Sequence, residues 1–442
     1  MTTVKIGVKI ISELKSFIYL VTSQDTYLDH FRQSKKDFTR DRKLPFERLI
    51  LMITKLCKKT LSIELEAFFE DIGDKSPCSV SAFTQQRIKL KPYFFVCWNR
   101  VLCSSFYHYS EGKERRWKGF RAIAADGSNI SLVKNEALSK HFGGQSNQHN
   151  SFVQAKTFYY YDVLNELVLF PRIEPYRFGE MKMAYQGIDQ LENDMLTIYD
   201  RNFCSYKMFA LHLWAEQELK FVIRAKEQMK VVSAFIKSKQ SSAVVELFPT
   251  PDAIKGLYES GFIVTSHTSI KIRLVRVELD DSVEVLATNL WAEDGYASEE
   301  FKDLYHLRWK VETNISTQKN ILQLESFSGL TVESVEQDFY ATVLMVNLHS
   351  VLIKEAQDNL DQQKTKYKYP MKVNMNKSFG RLKMDLIRLF IHEDPTSILI
   401  SLNAHFVKDT LPIRKNRSFE RIRKNKPGKS KYRTYSNFKP AY

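Results

Sequence analysis

At Arg121 the hydrophobic pattern of the chain changes period, and that change limits the folds open to it more than any other feature. Before it, residues 1 to about 110 carry apolar positions at helical spacing, in LPFERLILMITKLCKKTLSIELEAFFEDIG and in KPYFFVCWNRVLCSSFYHY. After it come short apolar runs of strand type. FRAIAADGSNISLV is broken by Asp-Gly, KTFYYYDVLNELVLF reads as two strands joined at a turn at residues 164 and 165, and MLTIYDRNF ends in an acid. Helical MKMAYQGIDQLEN separates the hairpin from Asp200, and FVIRA adds a further strand at 221–225. Strand, hairpin and helix in this order predict an α/β core.

A chain of 442 residues with 43% apolar and 13% aromatic residues can bury large cores and has room for about three domains. Its 66 Lys and Arg against 51 Asp and Glu give a net charge of +15, which calls for a polyanionic partner. Nucleic acid and an anionic membrane surface both qualify. No apolar run reaches the roughly 18 residues of a spanning helix, because ATVLMVNLHSVLI is short and carries Asn347 and His349. With no signal peptide at the start, a soluble cytoplasmic protein is expected. The five cysteines are scattered, with no CxxC pair and no zinc-finger spacing, and their apolar neighbours predict buried, reduced thiols. Neither a Walker loop nor a GxGxxG fingerprint occurs, so no nucleotide cofactor is expected.

Further along, KIRLVRVELDDSVEVLATNL alternates apolar and polar residues about Asp280 and Asp281, the pattern of a β-hairpin with one buried face. DFYATVLMVNLHSVLI predicts a buried helix, and SFGRLKMDLIRLFI and PTSILISLNAHFV two amphipathic ones. Between Arg414 and Arg433 ten basic residues face one acid, a block that either follows phosphates or solubilises the chain. GGQSNQHN at 143–150 reads as a loop. Near the N-terminus, SPCSVSAFTQQRIKL offers Ser79 or Ser81 as the cap of a short helix displaying Gln85, Gln86, Arg87 and Lys89, side chains able to meet base edges or phosphates. Chemistry alone equally allows an ordinary amphipathic helix with a solvated face.

The stretch YHLRWKVETNISTQK sets Tyr305, Arg308, Glu312 and Lys319 at offsets of 0, 3, 7 and 14. On one helix these four share a stripe about 60° wide, beside a seam of Leu304, Leu307, Val311, Ile315 and Leu322. One carboxylate thus stands among two cations and a phenol, which suits a metal-binding Glu beside a nucleic-acid strand. Asp126 and Asp200 each end an apolar strand, AIAAD and LTIYD. Carboxylates at neighbouring strand ends raise each other's pKa unless a cation sits between them, and an oxygen-only site selects Mg²⁺ or Mn²⁺. Taken singly, an Asp before Gly also serves as a turn former and an Asp-Arg pair as an ion pair.

The Tyr-x2-Arg-x3-Glu-x6-Lys spacing resembles the signature of the cut-and-paste DDE transposases of bacterial insertion-sequence family four. The Asp-Gly at 126 and the Asp-Arg at 200 resemble that family's two upstream motifs, although Asn-Phe follows where relatives have Gly-Tyr. The Ser-Ala-Phe-Thr-Gln-x-Arg stretch resembles part of its N-terminal DNA-binding region. The resemblance implies a ribonuclease-H-like α/β core interrupted by a β-rich insertion. Residues 1–110 would then be a helical DNA-binding region, 111–228 the first part of the core, 229–291 the insertion, 292–356 the second part with the signature helix, and 357–442 a helical region with a basic tail.

The resemblance further implies that Asp126, Asp200 and Glu312 bind two Mg²⁺ ions, with Mn²⁺ able to substitute. They would catalyse 3′ nicking, hairpin formation and opening, and joining to target DNA. Tyr305, Arg308 and Lys319 would hold the terminal phosphate. Trp309 would either stack on an unpaired base or belong to the core. Gln85, Gln86 and Arg87, and in the tail Arg414, Lys415 and Arg417, would contact DNA. Partners would be the terminal inverted repeats, target DNA and a second copy in the DNA complex, in a nucleoid-associated bacterial protein. A metal-dependent nuclease on the same fold and a non-catalytic DNA-binding descendant are the alternative readings.

Overall fold

The computed structural model describes residues 3–40, 42–146, 151–279, 282–363 and 368–414. They form two compact units, one of residues 1–114, 130–155 and 316–442, the other of 115–129 and 156–315. The chain opens with six helices: α1 (Thr3–Ser23), α2 (Asp25–Leu28), α3 (Phe46–Thr54), α4 (Leu61–Asp71), α5 (Val80–Arg87) and α6 (Tyr93–Tyr109). Pro45 caps α3, and the long apolar run after it breaks into two helices where Leu56 takes a positive φ of 55°. Ser79 caps α5 by accepting from the Ala82 N–H at 3.1 Å.

Strand β1 (Arg121–Leu132) and helix α7 (Glu136–Phe142) follow. Next come β2 (Gly144–Ser146), β3 (Ser151–Asp162), β4 (Leu167–Val168), β5 (Arg172–Pro175), α8 (Glu180–Gly187), β6 (Met195–Tyr199), α9 (Tyr206–Leu213) and β7 (Lys220–Arg224). The segment expected to be a β-rich insertion, residues 229–291, contributes α10 (Lys230–Ser238), β8 (Ser242–Leu247), α11 (Pro251–Tyr258), β9 (Ile270–Glu278) and β10 (Val283–Thr288). β9 and β10 pair antiparallel, Val283 opposite Glu278, while Asp280 and Asp281 lie outside the described residues. These strands do not make a sheet of their own. β10 pairs antiparallel with β7, so they prolong one sheet of order β2-β3-β1-β6-β7-β10-β9-β8.

At its centre β1 and β6, and then β6 and β7, run parallel. All five residues of β6 are buried, as expected of a strand covered on both faces. The register pairs Ala125 with Tyr199, which leaves Asp126 and Asp200 one residue beyond the last paired rung. Asp126 does not end its strand, as the sequence suggested, but lies inside β1, which runs on to Leu132.

The signature stretch is not one helix. It divides into α12 (Glu300–His306), α13 (Trp309–Ser316) and a π-helical turn at Thr317–Ile321. Around residues 307–311 the N–H groups bond three residues back, as Arg308 to Tyr305 and Val311 to Arg308, both at 3.1 Å, so the path first tightens and then widens. In the first unit the buried helix α14 (Val332–Gln362) starts at a capping box on Thr331. It is tied to α6 by a buried Asn347–Asn99 hydrogen bond of 2.7 Å. β11 (Met371–Val373), α15 (Met375–Ile391), α16 (Thr396–Lys408) and β12 (Thr410–Pro412) complete the described chain, the two helices matching the two amphipathic patterns. All five cysteines are free, with Cys57, Cys103 and Cys204 buried. Among the described residues no helix is long and apolar enough to cross a membrane.

Candidate active site

The site begins with a carboxylate at the end of four buried small or apolar residues. Ala122 to Ala125 of β1 are fully buried, and the next residue, Asp126, carries a half-buried carboxylate at the edge of that core. Its Oδ1 accepts from the Gly127 N–H at 2.8 Å. Burial pushes the carboxyl up to about 6, with Glu312 and Glu180 adding to the rise and Gly127 N–H and Arg308 opposing it.

The opposing cation is held by the tightened turn between α12 and α13. Arg308, only 5% exposed, places Nη1 2.9 Å from Glu312 Oε1 and 3.8 Å from Asp126 Oδ2. Two of the three expected carboxylates therefore face each other across a single guanidinium nitrogen. Asp200, the cap of a short 3₁₀ turn at Arg201–Phe203, acts electrostatically on both Arg308 and Tyr305. Tyr305 is buried, which drives its phenol well above the usual range. Among the described residues its hydroxyl and Arg308 Nε, both buried, have no hydrogen-bond partner.

Glu180 is the acid that sequence reasoning missed. It opens α8 and ion-pairs with Lys156 at 3.3 Å. Its side chain covers Gly127 so closely that a Cβ there would stand 2.6 Å from Glu180 Cγ. Nothing in its spacing marks it, and the Asp-Gly pair, read as a turn signal, is a packing signal instead.

Other expected residues stand elsewhere. Trp309 is 51% exposed, with Arg308 Cζ 4.6 Å from its ring centroid, so the core alternative is excluded. Lys319 stands on the π-helical turn that follows α13, so the four signature residues are not carried on one regular helix. Gln86 and Arg87 do not display themselves to a partner. Gln86 is buried and donates to Leu44 O at 3.0 Å. Arg87, 2% exposed, donates to Gln337 Oε1 at 2.6 Å, Ser328 Oγ at 2.6 Å, Ser334 O at 3.1 Å and Asp338 Oδ1 at 2.8 Å. The reason is packing: the face of α5 carrying both residues covers the core of its unit. Gln85 is exposed, as expected. Arg414 is exposed too, beside Tyr369, whereas Lys415 and Arg417 lie outside the described residues.

A family model described as "Transposase DDE domain" matches residues 117–348. The chain belongs to the DDE transposases. The matched span contains Asp126, Glu180, Asp200, Arg308 and Glu312 and makes this an enzyme acting on DNA. Among solved structures, the piggyBac transposase synaptic complex with hairpin DNA is similar at 12% identity and a TM-score of 0.40, over 95% of this chain and 87% of that chain. Comparison with curated proteins found no match.

The donor chemistry of this transposase site fits a hard divalent cation. Every ligand on offer is a carboxylate oxygen, and the half-buried Asp126 carboxyl lacks enough positive charge to hold it at its ordinary pKa. Among the described residues no three His, Cys, Asp or Glu side chains gather as tightly as a bound metal would require. In this arrangement the positive charge between Asp126 and Glu312 is that of Arg308.

Proposed function

We propose that this transposase performs cut-and-paste transposition of an insertion sequence of family four, on a ribonuclease-H-like core, with Asp126, Asp200 and Glu312 as its catalytic acids. One observation carries the reading. The β1–β6 register sets Asp126 and Asp200 just past the last rung of adjoining parallel strands, and Arg308 draws Glu312 towards Asp126. The ends of parallel strands are where open α/β sheets bind ligands.

Asp126, Asp200 and Glu312 would hold Mg²⁺ or Mn²⁺, which supplies Lewis-acid activation of the scissile phosphate and of the attacking oxygen. The chain's own residues do the rest. Gly127 gives Asp126 a fixed rotamer through its N–H, and Lys156 keeps Glu180 folded over that glycine. The buried Tyr305 hydroxyl and Arg308 Nε are preplaced donors for phosphate oxygens, and a charged planar donor binds phosphate strongly. Exposed Trp309 offers a ring to an unpaired base beside the cut. The same acids would serve nicking, hairpin formation and opening, and joining to target, with the terminal inverted repeats bound by two copies of the chain.

The experiment is incubation of the purified protein with the duplex flanking its own coding sequence and Mg²⁺, resolving nicks, hairpins and joined strands. Wild type is expected to yield all three, and Glu312→Gln to yield none while binding the duplex as tightly as wild type. Cleavage without joining would reduce the activity to that of a nuclease, and cleavage by Glu312→Gln would remove Glu312 from the catalytic set.

A further inference from the structure

In the first unit a basic segment precedes α3 and α5. Residues 34–43 carry Lys36, Arg40, Arg42 and Lys43, all exposed, and Lys89 stands behind them. These side chains line two adjoining cavities of about 220 Å³ and 290 Å³, which share Arg42, Gln86 and Lys89. Lys43 donates to Ser76 O at 2.9 Å and Lys89 to Gln86 Oε1 at 2.9 Å, but among the described residues none of the five meets a carboxylate. Asp37, the acid within the loop, spends its carboxylate on the Ser34 N–H at 2.9 Å, and Asp41 lies outside the described residues.

The loop is also built rather than loose. Buried Arg32 is fixed by Asp25 and Asp29 and donates to Asp37 O at 3.1 Å, pinning the loop from below. Phe38 adopts a φ of 60°, costly for a bulky residue, and its ring meets Phe46 edge-on at 5.3 Å. Gln86 holds Leu44 O with one end of its amide and Lys89 with the other, joining α5 to the loop. Several cations that meet no carboxylate among the described residues, held in one array around two adjoining cavities, match a row of anions and not a single one.

We propose that Lys36, Arg40, Arg42 and Lys43, with Lys89 behind them, are a preformed clamp for successive backbone phosphates of duplex DNA, beside which exposed Gln85 meets a base edge. This rests on the reading of the chain as a transposase that binds DNA. Phosphate contacts confer affinity without sequence preference and make it salt-dependent, with a slope of about 0.9 per contact in log K against log salt.

The test measures binding of the full chain to two duplexes, one of random sequence and one flanking the coding sequence, across a salt series without divalent cation. The triple variant Lys36→Ala, Arg40→Ala, Arg42→Ala is expected to weaken both to the same degree and to lower the slope by roughly 2 to 3. Arg40→Gln and Arg42→Gln, single changes that keep a polar side chain and remove the charge, should each lower it by about 0.9. Removing the same charge from α10 and its C-cap, through Lys230→Ala, Lys237→Ala and Lys239→Ala, should leave the slope unchanged. An unchanged slope in the triple variant, or an equal loss in the α10 variant, overturns the clamp. If wild type binds with the expected slope yet never cuts with Mg²⁺, the transposition reading fails and the clamp stands. If wild type cuts and the triple variant binds normally, the clamp alone fails.

Discussion

Gly127 is the residue on which the geometry around Asp126 turns. Any side chain there enters the space of Glu180, and the contact at 2.6 Å is with atoms of a side chain that can move, not with backbone. Gly127→Ala is therefore expected to cost about 1–3 kcal/mol of stability, the usual penalty for overpacking, and to part Glu180 from Lys156. Adding Glu180→Ala should recover most of that cost, because the double change removes the clash at its source. Thermal unfolding of the two single variants and the double variant checks this, and a cost that persists undiminished in the double variant would place the strain in the backbone.

At the scale of an element, α5 shows how composition can mislead about a face. Its polar end looked like a reading surface, yet its arginine is buried against α14. Burial works to raise the Asp338 carboxyl, but Arg87, with Lys58 and the Ser328 N–H, outweighs it and holds Asp338 below the usual range. Arg87→Ala leaves a buried carboxylate uncompensated and is expected to cost about 3–5 kcal/mol, whereas Gln85→Ala on the exposed face should stay within about 0.5 kcal/mol. Denaturant melts of both variants decide it, and a normal midpoint for Arg87→Ala would return Arg87 to the DNA-facing set. The cap, length and position of α5 were legible in the sequence because they depend on neighbours a few residues away. Its orientation was not, since Arg87 finds Asp338 251 positions further along.

For the whole molecule, two buried histidines set the response to acid. Burial lowers His212 to about 4 and His349 to about 3. His349 is stacked on Phe379 at 3.6 Å and bonded to Ser378 Oγ at 2.7 Å. Both fold as neutral rings, while the unfolded chain takes up their protons near pH 6.5. The unfolded state therefore binds more protons below that point, so their contribution is complete above about pH 6.5 and falls away as pH drops towards 4 and 3. The melting temperature should decline across that window, and His349→Gln should flatten the decline. An equally steep decline in that variant would assign the acid sensitivity to other groups.

The sequence by itself determined what depends on local period and spacing. Among these features are the passage from helices to an α/β sheet at Arg121, the strands flanking Asp280 and Asp281, the buried helix at residues 338–353, and the chain order of Asp126, Asp200 and Glu312. Local period reports how a segment hides its apolar side chains, and that choice is made within a few residues. Only the tertiary structure decided where the polar side chains point. It turned Arg308 inward between two acids, folded Glu180 over Gly127, buried Gln86 and Arg87, and joined the strands of residues 242–288 to the central sheet. Each of these outcomes depends on a partner far along the chain, because a buried charge or an open sheet edge takes whichever distant group satisfies it.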